Sequence, residues 1–191
     1  MRRLARYLVH TPRVVWHYAW QEPTSELAVF SDSDWAGCRR TARSTSGGYI
    51  LLGAHPIKGY SVTQKCVTLS SGEAELMALV KASSEAIGAC QMAEGWGMKL
   101  SANVHVDSTA AIAVTDRKGC GKLRHVRIGH LWVQELAERQ DVRYVKVRGG
   151  VNPADLFTKH VSPAKLAALL PRTFQTVQAG EASARLRILA L

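Results

Sequence analysis

The sequence predicts an α/β domain, a mixed sheet with helices packed on it, and two observations carry that prediction. The first part of the chain holds three short runs of β-branched, aromatic and aliphatic residues divided by turn residues. At Ser70 the apolar spacing changes from the short period of strands to the longer period of helices. From there to about residue 160 helical and extended patterns alternate, as they do when later strands join a sheet through helical crossovers.

Each element has its own warrant. Residues 1–25 are a basic, aromatic-rich lead segment that closes on the turn-like Gln21-Glu22-Pro23-Thr24-Ser25. Residues 27–31 read as a strand that delivers Asp32 to its C-terminal end, before the turn residues Ala36 and Gly37. Residues 49–52 and 57–63 read as two strands joined across residues 53–56, an antiparallel hairpin. Ser70-Ser71-Gly72-Glu73 has the spacing of a capping box, so a long helix is expected from there to about residue 94. Residues 104–107 form a buried-looking strand, and Ser108 stands where it caps a helix over residues 109–114. A basic loop over residues 117–127 leads into a helix ending near Arg139, and residues 142–147 alternate as a fifth strand. Asn152-Pro153-Ala154-Asp155 opens a last helix, with Asn at the cap, Pro at the first helical position and Asp in the first turn. The domain is expected over residues 26–160, with residues 161–191 as a C-terminal tail.

Composition narrows the function classes. The chain has 191 residues with 47% hydrophobic content, enough for a real core, so wholesale disorder is excluded. No apolar run approaches the roughly 18 residues needed to cross a bilayer, so no membrane partner is expected. Twenty-five Lys and Arg against 15 Asp and Glu leave a net charge of +10, which points to a polyanionic partner, nucleic acid first. That excess is local. No acid lies between Asp34 and Glu73, nor between Arg117 and Gln134, and each stretch holds five Lys and Arg. The cysteines Cys38, Cys66, Cys90 and Cys120 show no close C-x-x-C pair, so free thiols in a reducing compartment are expected. The setting is then intracellular, cytoplasmic first and nuclear as the alternative.

With so few acids, their placement can be read one by one. Asp32 and Asp107 end strands, Glu75 lies in the first turns of the long helix, and Asp155 opens the last one. Carboxylates at strand C-terminal ends sit where open α/β sheets build their sites. Crowding acids is costly: two unit charges 4 Å apart repel by roughly 4 kcal/mol at an effective dielectric near 20. Such a cluster requires cations or protonation, and an all-oxygen ligand set selects Mg²⁺ or Mn²⁺ over zinc. Two such ions can activate water and stabilise the leaving oxygen of a phosphodiester. The plain alternatives stay open on these grounds. Asp155 can complement a helix dipole, Glu73 is accounted for by the capping box, and Asp34 can be a turn residue.

Five segments then occur in a familiar order. Ser31-Asp32-Ser33-Asp34-Trp35-Ala36-Gly37, Arg43-Ser44-Thr45-Ser46-Gly47-Gly48-Tyr49, Leu69-Ser70-Ser71-Gly72-Glu73-Ala74-Glu75, Val106-Asp107-Ser108 and Ala154-Asp155-Leu156-Phe157-Thr158-Lys159 together resemble the ribonuclease H domain of copia-type LTR retrotransposon Pol polyproteins. The lead segment, from Leu4 to Pro12, resembles that family's connector between reverse transcriptase and ribonuclease H. The resemblance covers roughly residues 4–163.

The resemblance implies a ribonuclease H-like fold and hydrolysis of the RNA strand of RNA/DNA hybrids with two Mg²⁺ ions, Mn²⁺ being able to replace them. It places the family's acidic tetrad, catalytic and metal-binding, on Asp32, Glu75, Asp107 and Asp155, preferring Glu75 to Glu73 and Asp32 to Asp34. Arg43, Ser44, Thr45, Ser46, Lys65, Lys122, Arg124 and His125 become candidates for contact with the nucleic acid. Selection of RNA would come through 2′-hydroxyls in the shallow minor groove. The loop Arg148-Gly149-Gly150-Val151-Asn152 lacks the His that cellular ribonucleases H often carry there, so no residue is assigned as proton shuttle. The expected partners are the hybrid and an upstream reverse transcriptase domain. The chief alternative function is a ribonuclease H-like domain that has lost catalysis and binds or tethers nucleic acid. An integrase-like strand transferase, with its shorter acidic triad, fits the tetrad less well.

Overall fold

A computed structural model describes residues 9, 13–119, 121 and 128–178. Its centre is a five-stranded sheet. Three antiparallel strands, β2 (Glu26–Asp34), β3 (Thr45–Leu52) and β4 (His55–Thr63), form one side. Two parallel strands, β5 (Ser101–Val106) and β6 (Val142–Lys146), extend it in the spatial order β4-β3-β2-β5-β6. The mixed sheet is therefore as the sequence predicts. The strands are longer than the apolar runs that signal them, because pairing carries the ladder into the polar ends Ser31 to Asp34 and Thr45 to Gly48.

The long helix α1 (Ser71–Gly95) packs across β2, β3 and β5. Its buried stripe Leu76, Leu79, Ala82 and Ala86 recurs at three- and four-residue steps and meets Val29, Ile50, Val104 and Val106 from the sheet. The small alanines let the helix approach closely, and Leu76 and Leu79 are fully buried, worth roughly 1.5–3 kcal/mol each. At its start Ser70 Oγ accepts the Glu73 N–H at 3.2 Å, while the Glu73 carboxylate reaches back to the Leu69 N–H at 2.7 Å. The expected capping box is thus present with its return bond displaced by one residue. Ser108 caps α2 (Thr109–Thr115) through the Ala111 N–H, as its position predicts. With α3 (Trp132–Glu138), α2 completes the core on the same face.

The opposite face carries a smaller layer. Tyr49 and Ile50 are neighbours on β3 and point to opposite sides: Ile50 enters the main core, and Tyr49 stacks on Phe157 at 5.5 Å. Phe157 belongs to α4 (Asp155–Thr158), which can lie this close because Gly47 and Gly59 have no side chains. A Cβ at Gly47 would stand 2.5 Å from the Thr158 methyl, and one at Gly59 2.5 Å from the Phe157 ring. Helix α4 begins later than the sequence predicts. Asn152 does not open it directly; its Oδ1 accepts the Ala154 N–H at 3.1 Å, and its Nδ2 donates to the Ser31 carbonyl at 2.9 Å. The buried Asn152 thereby ties α4 to β2.

Packing continues past residue 160. Helix α5 (Pro163–Leu169) buries Leu169, and the Tyr49 hydroxyl donates to the Thr173 carbonyl at 2.7 Å. The chain then returns as β7 (Gln175–Gln178), antiparallel to β1 (Arg13–Trp16) in the lead segment. Lead and tail thus form a two-stranded clasp outside the main sheet. None of the described helices is long and apolar enough to cross a membrane.

Candidate metal centre

The site is made where two strands stop pairing. The parallel ladder between β2 and β5 ends at Ser31 opposite Val106, and the next residues are Asp32 and Asp107. Beyond that point β2 continues to pair only with β3, as far as Asp34 opposite Thr45. Both aspartates therefore stand at the C-terminal ends of adjacent parallel strands, where open α/β sheets build their sites. Alternation along β2 sorts the side chains: Asp32 turns toward α4, while Ser33 turns toward α1 and meets Glu75. Asp155 enters from the start of α4, held in place by the Asn152 bridge.

Asp32, Asp107 and Asp155 each offer an oxygen within 4.8 Å of the others. Glu75 lies beside them. Its Oε1 accepts from the Ser33 hydroxyl at 2.8 Å and the Ser33 N–H at 3.3 Å, whereas its buried Oε2 accepts no hydrogen bond. Burial, reinforced by the charge on Asp32, pushes the Glu75 carboxyl up to about 7. Burial likewise raises Asp32 to about 6, despite hydrogen bonds from Lys159 and Thr158. Asp155 goes the other way: burial opposes its charge, but the ammonium groups of Lys165 and Lys159 outweigh it and hold the carboxyl below its ordinary value.

These lysines are the part of the site that sequence reasoning missed. Lys159 Nζ bridges Asp32 Oδ1 at 2.8 Å and Asp155 Oδ1 at 2.9 Å. Lys165 pairs with the other Asp155 oxygen, and the Thr158 hydroxyl donates to the other oxygen of Asp32. The available signal was the i,i+4 spacing of Asp155 and Lys159 within a quoted motif. Lys165 carries no local signal, since it reaches Asp155 from another helix. Lys146 donates to the Asp107 carbonyl and, at 3.0 Å, to the Thr109 hydroxyl.

The expected nucleic-acid contacts fare unevenly. Arg43 and Lys65 are exposed, and Thr45 is half-covered at the start of β3. Ser44 and Ser46 are buried, which corrects their expected place on the contact surface. The Ser44 hydroxyl accepts the Ala36 N–H at 3.1 Å and bonds Thr68 Oγ1 at 3.0 Å, and Ser46 Oγ accepts from Gln64 at 2.9 Å. Both hold the β2–β3 loop and β3 in position. Lys122, Arg124 and His125 lie outside the described residues. Asp34 and Glu73, the rejected alternatives, stand outside the cluster; Glu73 is spent on the helix start.

The donor set fits a hard divalent cation. It is all oxygen, three of its members converge within 4.8 Å, and the buried Glu75 Oε2 has no hydrogen-bond partner among the described residues.

No protein-family model matches the chain. It is 30% identical over 167 residues to the retrovirus-related Pol polyprotein from transposon RE1 of Arabidopsis thaliana, across 85% of this chain. It is 28% identical over 137 residues to the Pol polyprotein from transposon TNT 1-94 of Nicotiana tabacum, across 71% of this chain. The match spans only 11% and 10% of those polyproteins. Among solved structures, the LC11 ribonuclease H1 isolated from compost by a metagenomic approach superposes with a TM-score of 0.53 at 16% identity, covering 71% of this chain and 94% of that one. The homologues are copia-type transposon Pol polyproteins and the fold is that of ribonuclease H, so the chain belongs to the ribonuclease H-fold segment of copia-type retrotransposon Pol polyproteins.

Proposed function

We propose that the chain is a ribonuclease H that cuts the RNA strand of RNA/DNA hybrids during reverse transcription, with two Mg²⁺ ions, or Mn²⁺, held by Asp32, Glu75, Asp107 and Asp155. The observation that carries the reading is the convergence of three carboxylates within 4.8 Å at the parallel strand ends, beside a fourth with an unpartnered buried oxygen.

Bound divalent ions would supply Lewis-acid chemistry at the scissile phosphate. The protein's own residues do the rest. Asp32 and Asp155 are fixed by β2 and by the Asn152 bridge, so their oxygens are pre-aligned with Asp107. Ser33 holds Glu75 by one oxygen and leaves the other turned inward. Exposed Arg43 and Lys65, and the basic stretch of sequence over residues 117–127, are the proposed holds on the phosphate backbone. The upstream reverse transcriptase segment of a Pol polyprotein is the proposed partner.

One observation favours a second reading, a decayed module that binds without cutting: lysines already pair Asp32 and Asp155. A labelled RNA/DNA hybrid, incubated with the full chain and Mg²⁺, separates the two. Cleavage of the RNA strand that is lost in Asp107→Asn supports the enzyme; binding without cleavage overturns it in favour of the module.

A further inference from the structure

We propose that Lys159 is a displaceable counter-ion that competes with the divalent cation for Asp32 and Asp155, and so sets the metal affinity of the site. The inference rests on the metal site proposed above. Lys159 Nζ stands within hydrogen-bond distance of one oxygen on each of the two deepest carboxylates, 2.8 Å from Asp32 and 2.9 Å from Asp155. A Mg²⁺ ion binds carboxylate oxygens at about 2.0–2.1 Å, so an ion joining these two oxygens needs the ground the ammonium holds. Both cannot be there.

The surrounding contacts make the exchange feasible. Asp32 is 0% exposed, but the Lys159 side chain is 39% exposed and extends from the end of α4, where its head can turn into water. When it leaves, Asp155 keeps Lys165 and Asp32 keeps the Thr158 hydroxyl, so each carboxylate retains one anchor and frees one oxygen. Among the described residues Lys165 pairs with Asp155, on the oxygen that Lys159 does not use, and does not bridge the pair. The bridging position belongs to Lys159. A site closed by its own lysine most of the time has its apparent affinity lowered by the fraction that is open.

The test is calorimetric titration of the full chain with MnCl₂, without nucleic acid, for wild type, Lys159→Gln and Lys159→Arg. Lys159→Gln is expected to bind Mn²⁺ about tenfold more tightly, and Lys159→Arg, which keeps the charge, to stay within about twofold of wild type. If wild type binds and Lys159→Gln binds equally or more weakly, the competition is overturned while the metal site stands. If no form binds Mn²⁺, the metal site falls and the competition with it. A second measurement needs no variant. The side-chain ammonium ¹⁵N–¹H signal of Lys159, protected by its two carboxylates, should be visible without metal and lost at saturating Mg²⁺. A signal unchanged at saturation overturns the proposal.

Discussion

Asp32 and Asp155 form the half of the acidic cluster that the fold has closed off, whereas Glu75 and Asp107 stand in the half left partly open. In the closed half every carboxylate oxygen has a partner: Lys159 on one oxygen of each, Lys165 and Thr158 on the others. In the open half, among the described residues, Glu75 is hydrogen-bonded by Ser33 and its other oxygen has no partner. The difference follows from the elements that supply the groups. Helix α4 brings its own lysine at the next turn, and the following helix adds a second. The long helix α1 supplies Glu75 to the site and carries no Lys or Arg over residues 71–80. The closed half therefore carries the protein's own counter-ions, which a bound cation would displace, whereas Glu75 keeps an oxygen without one.

The largest expected effect breaks both halves alike. Asp32→Asn, from the closed half, and Asp107→Asn, from the open one, should each reduce hybrid cleavage by at least about 10³-fold, a loss of roughly 4 kcal/mol in transition-state stabilisation. Gel-shift binding of the same hybrid should be retained or improved, since each change removes a negative charge facing a polyanion. Full cleavage by either variant would remove that residue from the site.

Next in size are effects on stability. Glu75→Gln should flatten the pH dependence of the metal-free protein. The folded-state value near 7 lies above the ordinary 4.5, so between those pH values the folded chain keeps a proton that the unfolded chain has lost. Stability is accordingly full below about pH 4.5 for this group and falls as pH rises toward 7, by up to about 3 kcal/mol. Asp32, raised from 3.8 to about 6, adds a slope of the same sign over a lower window. Urea unfolding at several pH values checks this; an unchanged slope in Glu75→Gln would place the open half's charge elsewhere.

Gly47→Ala tests the closed half through packing. Its Cβ would lie 2.5 Å from the Thr158 methyl and 3.1 Å from the Phe157 backbone, so α4 must shift, at a cost of about 1–3 kcal/mol. The same shift should weaken Mn²⁺ binding. The smallest effect is expected from Tyr49→Phe, which removes the bond to the Thr173 carbonyl and costs about 1 kcal/mol. Cleavage should stay near wild type, because the phenylalanine ring keeps the stack on Phe157 that seats α4.

Much of this was legible in the sequence, and the reasons are physical. The capping serines Ser70 and Ser108 announce helices through bonds made within four residues, and local chemistry survives any tertiary setting. Asp32 and Asp107 were readable because apolar runs mark strands and the first acid after each run marks its end. Other features resisted. Ser44 and Ser46 look like surface hydroxyls in a polar, basic stretch, yet the fold turns them inward, Ser44 to Thr68 and Ser46 to Gln64. Asn152 looks like a helix cap, and its second bond, to Ser31, spans a separation of 121 residues that no local pattern encodes.

By itself, then, the sequence determined the class of fold, the presence of an acid at the end of each of two strands and the excess of positive charge, because periodicity, turn chemistry and residue type are local properties. Only the tertiary structure decided which of those acids are buried, which lysine bridges them, and that the chain's lead and tail pair with each other. Those outcomes depend on where a strand pair ends, on two glycines that let α4 settle on the sheet, and on contacts between residues more than a hundred positions apart. A carboxylate's role here was set by its neighbours in space, and sequence order carries little of that information.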